Sequence, residues 1–154
     1  TILDPFAGAG GIIYEAKRYY KKLNVISADI DKTISPGLEK ISDAHYISDI
    51  KSLDLKGQKI DQIITEVPFS SSANEDILIG IEKLTLDLNE FGKLVIMCKS
   101  TQSEILKNKL NELGMAKYFE AKINRKGIDV VVIAYSKTKC NKDIEFFKSL
   151  SRIY

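Results

Sequence analysis

The feature that most constrains the fold is a glycine-rich stretch that follows a short apolar run at the start of the printed sequence. Ile2 and Leu3 lead into Asp4, and glycines stand at positions 8, 10 and 11. Apolar residues then recur at helical spacing from Ile12 onward. Glycine permits positive φ angles and lets a ligand approach the backbone where a Cβ would clash. The pattern predicts a buried strand, a tight turn and a helix, with a ligand site at the carboxyl end of the strand.

The residues around the glycines argue against two kinds of phosphate site. A dinucleotide fingerprint needs a third small residue, and Ile13 stands in that place. A Walker A loop needs a lysine directly after the glycines, and none follows. Asp4 would also repel a pyrophosphate, whereas it suits a cation, or an ammonium and a hydroxyl group. A nicotinamide or flavin oxidoreductase is therefore disfavoured.

Composition sets broader limits. The chain has 154 residues and is 44% hydrophobic, which predicts a single domain over residues 1–154 with a core of ordinary size. A net charge of +2 does not by itself demand a nucleic acid. No apolar run reaches the roughly 18 residues of a membrane span, so no membrane partner is expected. One histidine and two distant cysteines predict no metal site. Cys98 fits a buried reduced thiol, and a cytoplasmic location is expected.

The segment Asp4-Pro5-Phe6-Ala7-Gly8-Ala9-Gly10-Gly11 resembles motif I of the class I S-adenosylmethionine (SAM) methyltransferases. More narrowly, it is similar to the amino-methylating branch that includes the THUMP-associated tRNA guanine-N2 methyltransferases and N6-adenine-type relatives. The resemblance implies a Rossmann-like, doubly wound α/β fold with a mostly parallel seven-stranded sheet and a C-terminal antiparallel hairpin. It implies SAM as the cofactor, with Asp4 holding the methionine amino group and the backbone from Gly8 to Gly10 lining the cofactor.

Two further acids follow later predicted strands. Asp29 ends a strand over residues 24–29, where doubly wound folds place an acid that binds ribose hydroxyls. Asp31 is a rival for that role, and is otherwise the cap of the next helix, which we expect to begin near Leu38 after Pro36-Gly37.

Asp49 follows a third predicted strand, His45–Ser48. By the resemblance it contacts the adenine amino group, and the alternative is a loop residue that makes a local turn bond. The resemblance also assigns Phe6, Ile30 and Ile50 to the cofactor site.

The segment after the fourth predicted strand, Ile60–Thr65, reads Glu66-Val67-Pro68-Phe69. Amino-methylating relatives carry Asp, Asn or Ser, then Pro-Pro and an aromatic residue here. By the resemblance Glu66, Pro68 and Phe69 hold the target base. This chain departs from the pattern at Glu66, which is one methylene longer, and at Val67, which replaces a proline. A misplacement of about 1 Å can cost a hundredfold in rate. The alternative is a strand end that a proline stops.

The second half of the chain predicts two helices and three strands. The helix from Glu75 to about Asn89 is expected to be capped by Asn74, and a second helix covers Gln102–Leu113. The strand Lys93–Cys98 follows a break at Gly92. The remaining strands, Met115–Ile123 and Ile128–Tyr135, form the hairpin.

Three charged surfaces are expected to be solvated or to pack on other elements. Arg125 and Lys126 at the hairpin turn are predicted to be solvated. The lysines and arginine of the first helix are predicted to form a solvated face, with nucleic-acid contact as the weaker alternative. The tail, Lys137 to Tyr154, is expected to be an amphipathic segment that packs on the body or on a partner.

Together these features predict a SAM-dependent methyltransferase catalytic domain that acts on an exocyclic base nitrogen of RNA, tRNA in particular. Because the chain begins within a strand, we expect RNA to be bound through an upstream region that this sequence lacks. The alternative is a catalytically impaired module that binds RNA or a partner subunit. The departure at Glu66-Val67 is the feature that separates the two hypotheses.

Overall fold

A computed structural model describes residues 1–138 as an α/β domain in which helices connect strands of one sheet. The elements in chain order are β1 Ile2–Asp4, α1 Gly11–Tyr19, β2 Val25–Asp29, α2 Ser35–Ile41, β3 Ala44–Ile47, β4 Ile60–Glu66, α3 Asn74–Asp87, β5 Leu88–Lys99, α4 Ser100–Glu112, β6 Ala116–Arg125 and β7 Ile128–Ser136. Two short 3-10 helices, Lys32–Ile34 and Ser71–Ala73, precede α2 and α3.

The strands form a seven-stranded sheet in the order β3-β2-β1-β4-β5-β7-β6. The five strands from β3 to β5 are parallel, whereas β7 pairs antiparallel with both β5 and β6. This confirms the predicted fold class, including the closing hairpin. Because the order reverses beside β1, loops at the carboxyl ends of β1 and β4 diverge and leave a crevice there.

The helices cover both faces of the sheet. Val25 packs with Ile13 of α1 and Leu38 of α2, whereas its neighbour Ile26 belongs to the larger core cluster that includes Leu106 of α4. Since successive side chains of a strand point to opposite faces, α1 and α2 lie on one face and α4 on the other. Ile81 of α3 belongs to the same larger cluster.

Two element boundaries differ from the predictions for local reasons. Helix α2 begins at Ser35, so the predicted start near Leu38 was wrong: Pro36 lies in the first turn, where the missing N–H costs no helical hydrogen bond. Asp31 caps the preceding 3-10 helix by accepting from the Thr33 N–H, so its predicted role as the cap of α2 was wrong, since Ile34 holds that position. Gly92 lies inside β5 rather than before it.

Two remaining expectations concern the chain's ends and its relation to a membrane. Most of the predicted amphipathic tail lies outside the described residues, which end at Thr138. Across the described range 1–138, no helix combines the length and apolar character that crossing a bilayer requires.

Candidate functional site

The crevice at the carboxyl ends of the parallel strands is a cavity of about 440 Å³. That volume falls within the roughly 300–1,000 Å³ of small-molecule sites. Eight of the eleven residues assigned to a site from the sequence lie along it: Phe6, Asp29, Ile30, Asp49, Ile50, Glu66, Pro68 and Phe69. They come from four different loops, so the fold brings together residues that stand up to 63 positions apart, from Phe6 to Phe69.

Asp29 is the acid that links the glycine turn to this cavity. Its Oδ2 accepts a hydrogen bond from the Gly8 N–H at 2.8 Å, and its Oδ1 accepts one from the Asp31 N–H at 3.0 Å. A carboxylate can accept about four hydrogen bonds, so each oxygen keeps a lone pair for a ligand. Asp31 does not line the cavity. Of the two rival acids, Asp29 is therefore the one placed to contact a ligand.

The glycine turn contacts Asp29, which lines the cavity, but the turn does not line the cavity itself. Gly8 and Gly10 have φ angles of +50° and +83°, which explains the choice of glycine at both positions. Gly10 also caps α1 and packs so closely on α2 that a Cβ would lie 3.1 Å from Leu38 Cδ2. Neither glycine is among the residues that line the cavity.

Asp4 is buried, with 1% of its surface exposed, and it does not line the cavity either. Its Oδ1 accepts from the Thr65 hydroxyl at 2.7 Å and from the Phe6 N–H at 3.2 Å. Burial raises the pKa of this carboxyl to about 6, and the nearby charges of Asp29 and Glu66 raise it further. The two hydrogen bonds lower the pKa, but by less than burial raises it. Thr65, which sequence reasoning did not single out, is thus the partner that stabilises the Asp4 carboxylate.

Asp49 makes the predicted local turn bond, and its contact with an adenine amino group stays a prediction. Its Oδ1 accepts from the Lys51 and Ser52 N–H groups at 2.8 and 3.0 Å, which is the predicted local turn bond. Hydrogen bonding, to Ser52 first, lowers the pKa of this carboxyl. The same residue lines the cavity. The turn therefore fixes an ionised acid at the mouth of the cavity, beside the buried Ile50.

Val67 stands where the family pattern has its first proline, and it is anchored to the core and to β5. Its side chain is buried in the main core cluster, and its N–H donates to the Met97 carbonyl at 3.0 Å. Proline has no N–H and would lack this bond.

Glu66 lies at the end of β4 and forms an ion pair that the sequence did not predict. Both carboxylate oxygens accept from Nη1 of Arg125, at 2.7 and 2.9 Å. Arg125 lies in the hairpin turn region at the end of β6, and its side chain is 56% exposed. The prediction that Arg125 is simply solvated was wrong, because its guanidinium pairs with Glu66, which lines the cavity. Glu66 is itself one-third exposed.

Gln102 is a second residue that sequence reasoning missed. It is buried on α4, and its Nε2 donates to the Pro68 carbonyl at 2.9 Å and to Asn74 Oδ1 at 2.8 Å. Its Oε1 accepts from the Lys99 N–H at 3.1 Å. The predicted capping role of Asn74 was wrong, because its side chain binds Gln102 while Ala73 holds the cap position. A glutamine at the third helical position was the one local signal, since it is frequent at helix starts.

Two groups considered for chemistry have structural partners. His45 lies on the edge strand β3, with its ring nitrogens 2.8 Å from the Ser27 hydroxyl and 3.1 Å from the Ser35 hydroxyl. Cys98 is fully buried, and burial raises the pKa of its thiol to about 11, so the thiol stays protonated at neutral pH.

Comparisons with known proteins bear on the fold. No protein-family model matches the chain. A tRNA (guanine(10)-N2)-dimethyltransferase of Methanothermobacter thermautotrophicus is 39% identical over 80 residues, which are 47% of this chain and 23% of that protein.

Solved structures match over a much larger share of this chain. TrmN from Thermus thermophilus superposes with a TM-score of 0.76 at 20% identity, over 89% of this chain and 43% of TrmN. The N-methyltransferase NodS from Bradyrhizobium japonicum, in complex with S-adenosyl-L-homocysteine, gives a TM-score of 0.71 at 12% identity, over 90% of this chain and 78% of NodS. This chain thus spans less than half of TrmN. From its strand order and these neighbours, the chain has the Rossmann-like fold of the class I SAM-dependent methyltransferases.

Proposed function

We propose that this chain is the catalytic domain of a SAM-dependent methyltransferase whose target is an exocyclic base nitrogen of RNA, tRNA in particular. The observation that carries the proposal is the single cavity lined both by Asp29 and Asp49 and by the Glu66-to-Phe69 segment. Methyl transfer to a base requires that the cofactor and the target base bind in the same cavity. Here the acids expected to bind the cofactor and the segment expected to bind the base line one cavity. Similarity to the tRNA (guanine(10)-N2)-dimethyltransferase of Methanothermobacter thermautotrophicus supports the choice of RNA as the substrate.

The residues present fit SAM. Asp29 retains lone pairs for ribose hydroxyls, and Ile30 and Phe6 supply apolar wall for a flat base. The buried carboxyl of Asp4 accepts a hydrogen bond from Phe6, which lines the cavity. A cation bound near this carboxyl would be stabilised, because a positive charge lowers the free-energy cost of ionising a buried acid. When bound, SAM supplies a methyl group activated on a sulfonium.

On the target side, Phe69 provides a partly exposed ring for stacking, and the Pro68 carbonyl keeps one lone pair beside its bond to Gln102. That carbonyl would accept a hydrogen bond from a base amino group and orient the nitrogen. Gln102 would hold the carbonyl in place. The role of these residues is positioning, since transfer to a neutral amine needs alignment more than a strong base.

Calorimetric titration with SAM tests the cofactor site. Asp29→Asn should weaken SAM binding by about 1.5–3 kcal/mol, because a charged hydrogen-bond acceptor is lost. Asp31→Asn is the matched control, since it changes an acid two positions away that does not line the cavity. Equal affinity of both variants and the parent protein would reject Asp29 as the ribose acid.

The Glu66–Arg125 ion pair favours the second candidate, an impaired module that binds RNA or a partner subunit. Arg125 already occupies both oxygens of Glu66, so a target amine would have to share or displace this partner. Transfer of a labelled methyl group from SAM to bulk tRNA separates the candidates. If Glu66 positions the amine, Glu66→Ala should abolish transfer while SAM still binds. SAM binding without transfer in the parent protein would favour the impaired module.

A further inference from the structure

A surface separate from the cavity lining combines exposed aromatic rings with cations. We call it the α1 surface and define it by Tyr14, Lys17, Arg18, Tyr20, Lys21, Lys22 and Lys40. Tyr14 and Tyr20 are 59% and 68% exposed, and Tyr19 between them is 74% exposed. Each exposed ring leaves apolar area in water that a stacked base would cover.

The charges on the α1 surface are only partly neutralised. Lys17 pairs with Asp43 at 2.9 Å, and Arg18 lies 3.5 Å from Glu15. The acid Glu39 is also exposed on α2. Lys21, Lys22 and Lys40 form no ion pair with any residue in the range 1–138. The surface therefore keeps a positive excess that a polyanion would neutralise.

One tyrosine ring and several cations line each of two shallow grooves. One groove, of about 360 Å³, is lined by Tyr14 with Lys17, Arg18 and Lys40. The next, of about 430 Å³, is lined by Tyr20 with Lys21 and Lys22. Grooves that bind single-stranded nucleic acid combine rings with cations in this way, because bases stack on rings while phosphates contact cations.

We propose that the α1 surface binds a single-stranded segment of the RNA substrate, an inference that rests on the proposed function for the identity of the substrate. Helix α1 begins at the glycine turn beside the cavity and runs away from it. At 1.5 Å per residue, Tyr20 lies about 14 Å along the axis from Gly11. The surface thus extends RNA binding away from the cavity.

The side chains favour RNA over an anionic membrane. Helices that lie on membranes bury Trp, Phe or Leu between the lipid head groups. The exposed large side chains of α1 and its end are all tyrosines. A tyrosine ring can stack on a base while its hydroxyl stays in water.

Fluorescence anisotropy with a labelled single-stranded RNA of about 12 nucleotides tests the charges, since such grooves hold about 4–16 nucleotides. The titration is done without SAM at several salt concentrations. Lys21→Glu with Lys22→Glu should weaken binding at least tenfold and reduce the log–log salt slope by about 1.4, at roughly 0.7 per phosphate contact. Lys56→Glu with Lys59→Glu is the control, because both lysines are exposed and Lys59 donates to the carbonyl of Leu86 in α3, outside the α1 surface.

Substitutions of Tyr20 test stacking separately. Tyr20→Ala should weaken binding fivefold or more, because it removes a stacking ring, whereas Tyr20→Phe should retain the affinity. Equal losses in the α1 and control lysine pairs, an unchanged Tyr20→Ala variant, or binding to phosphatidylserine vesicles in place of RNA would each overturn the proposal. Intact, variant-sensitive RNA binding without methyl transfer would instead reject only the proposed function.

Discussion

At the scale of single residues, Asp4 shows how a buried carboxyl affects the stability of the fold. Its carboxyl is almost fully buried and holds bonds from Thr65 and Phe6 that only partly offset desolvation. The unfolded chain has the ordinary pKa of 3.8, and the folded protein has one of about 6. Between these values the folded protein keeps a proton that the unfolded chain releases. The free energy of unfolding therefore decreases as the pH rises from about 4 to 6 and stays lower above that range.

Asp4→Asn should remove this pH dependence, because the amide does not ionise while its oxygen can still accept from Thr65. Above pH 6 the variant should be more stable than the parent protein by on the order of 2–3 kcal/mol. Urea denaturation at pH 4.5 and 7 measures both effects. The prediction fails if the variant loses stability between these two pH values as steeply as the parent protein does.

Residue positions were predictable from sequence where they depend on local pattern. Asp29 is the last residue of β2, and Asp31 and Asp49 each stand two residues beyond a strand end, so their positions at the sheet edge follow from the strand assignments. The partners of Glu66 and Gln102 were not predictable. Arg125 stands 59 positions from Glu66, and no spacing rule links two side chains that meet only when the sheet has formed.

At the scale of elements, the contact between α3 and the loop after β3 supports one wall of the cavity. A Cβ on Gly80 of α3 would lie 2.6 Å from Cγ2 and 2.8 Å from Cδ1 of Ile50. Ile50 is buried and lines the cavity, so it has little room to move. The glycine thus sets the distance between helix and loop. Sequence periodicity predicted α3, yet it could not reveal this contact, since both residues read as ordinary members of their elements.

Gly80→Ala should therefore destabilise the protein by about 1–3 kcal/mol through overpacking and should weaken ligand binding at the cavity by displacing Ile50. Gly37→Ala in α2 is the matched control, because a Cβ there meets nothing within 4 Å. It should stabilise by about 0.5–1 kcal/mol, since alanine is the better helix residue. Chemical denaturation of both variants is the measurement, and equal effects of the two substitutions would contradict the packing argument.

At the scale of the whole molecule, the cavity draws on loops from both sides of β1, so a ligand there should stabilise the entire domain. SAM at a hundred times its Kd should add about 2.7 kcal/mol, which raises the Tm of a domain of this size by roughly 5–10 °C. NAD at the same concentration should leave the Tm unchanged, because Ile13 and Asp4 do not suit a dinucleotide. Differential scanning fluorimetry gives both shifts, and a larger shift with NAD would favour an oxidoreductase.

The position of β7 between β5 and β6 has a consequence for synthesis of the protein. The outer edge of β5 stays without a strand partner until β7, the last strand in the described residues, has left the ribosome. An unpaired apolar edge is a template for association with other chains. Nascent chains that pause before residue 128 should accordingly be the species that chaperones hold most strongly, and Glu66 would meet Arg125 only after β7 has joined β6 to the sheet.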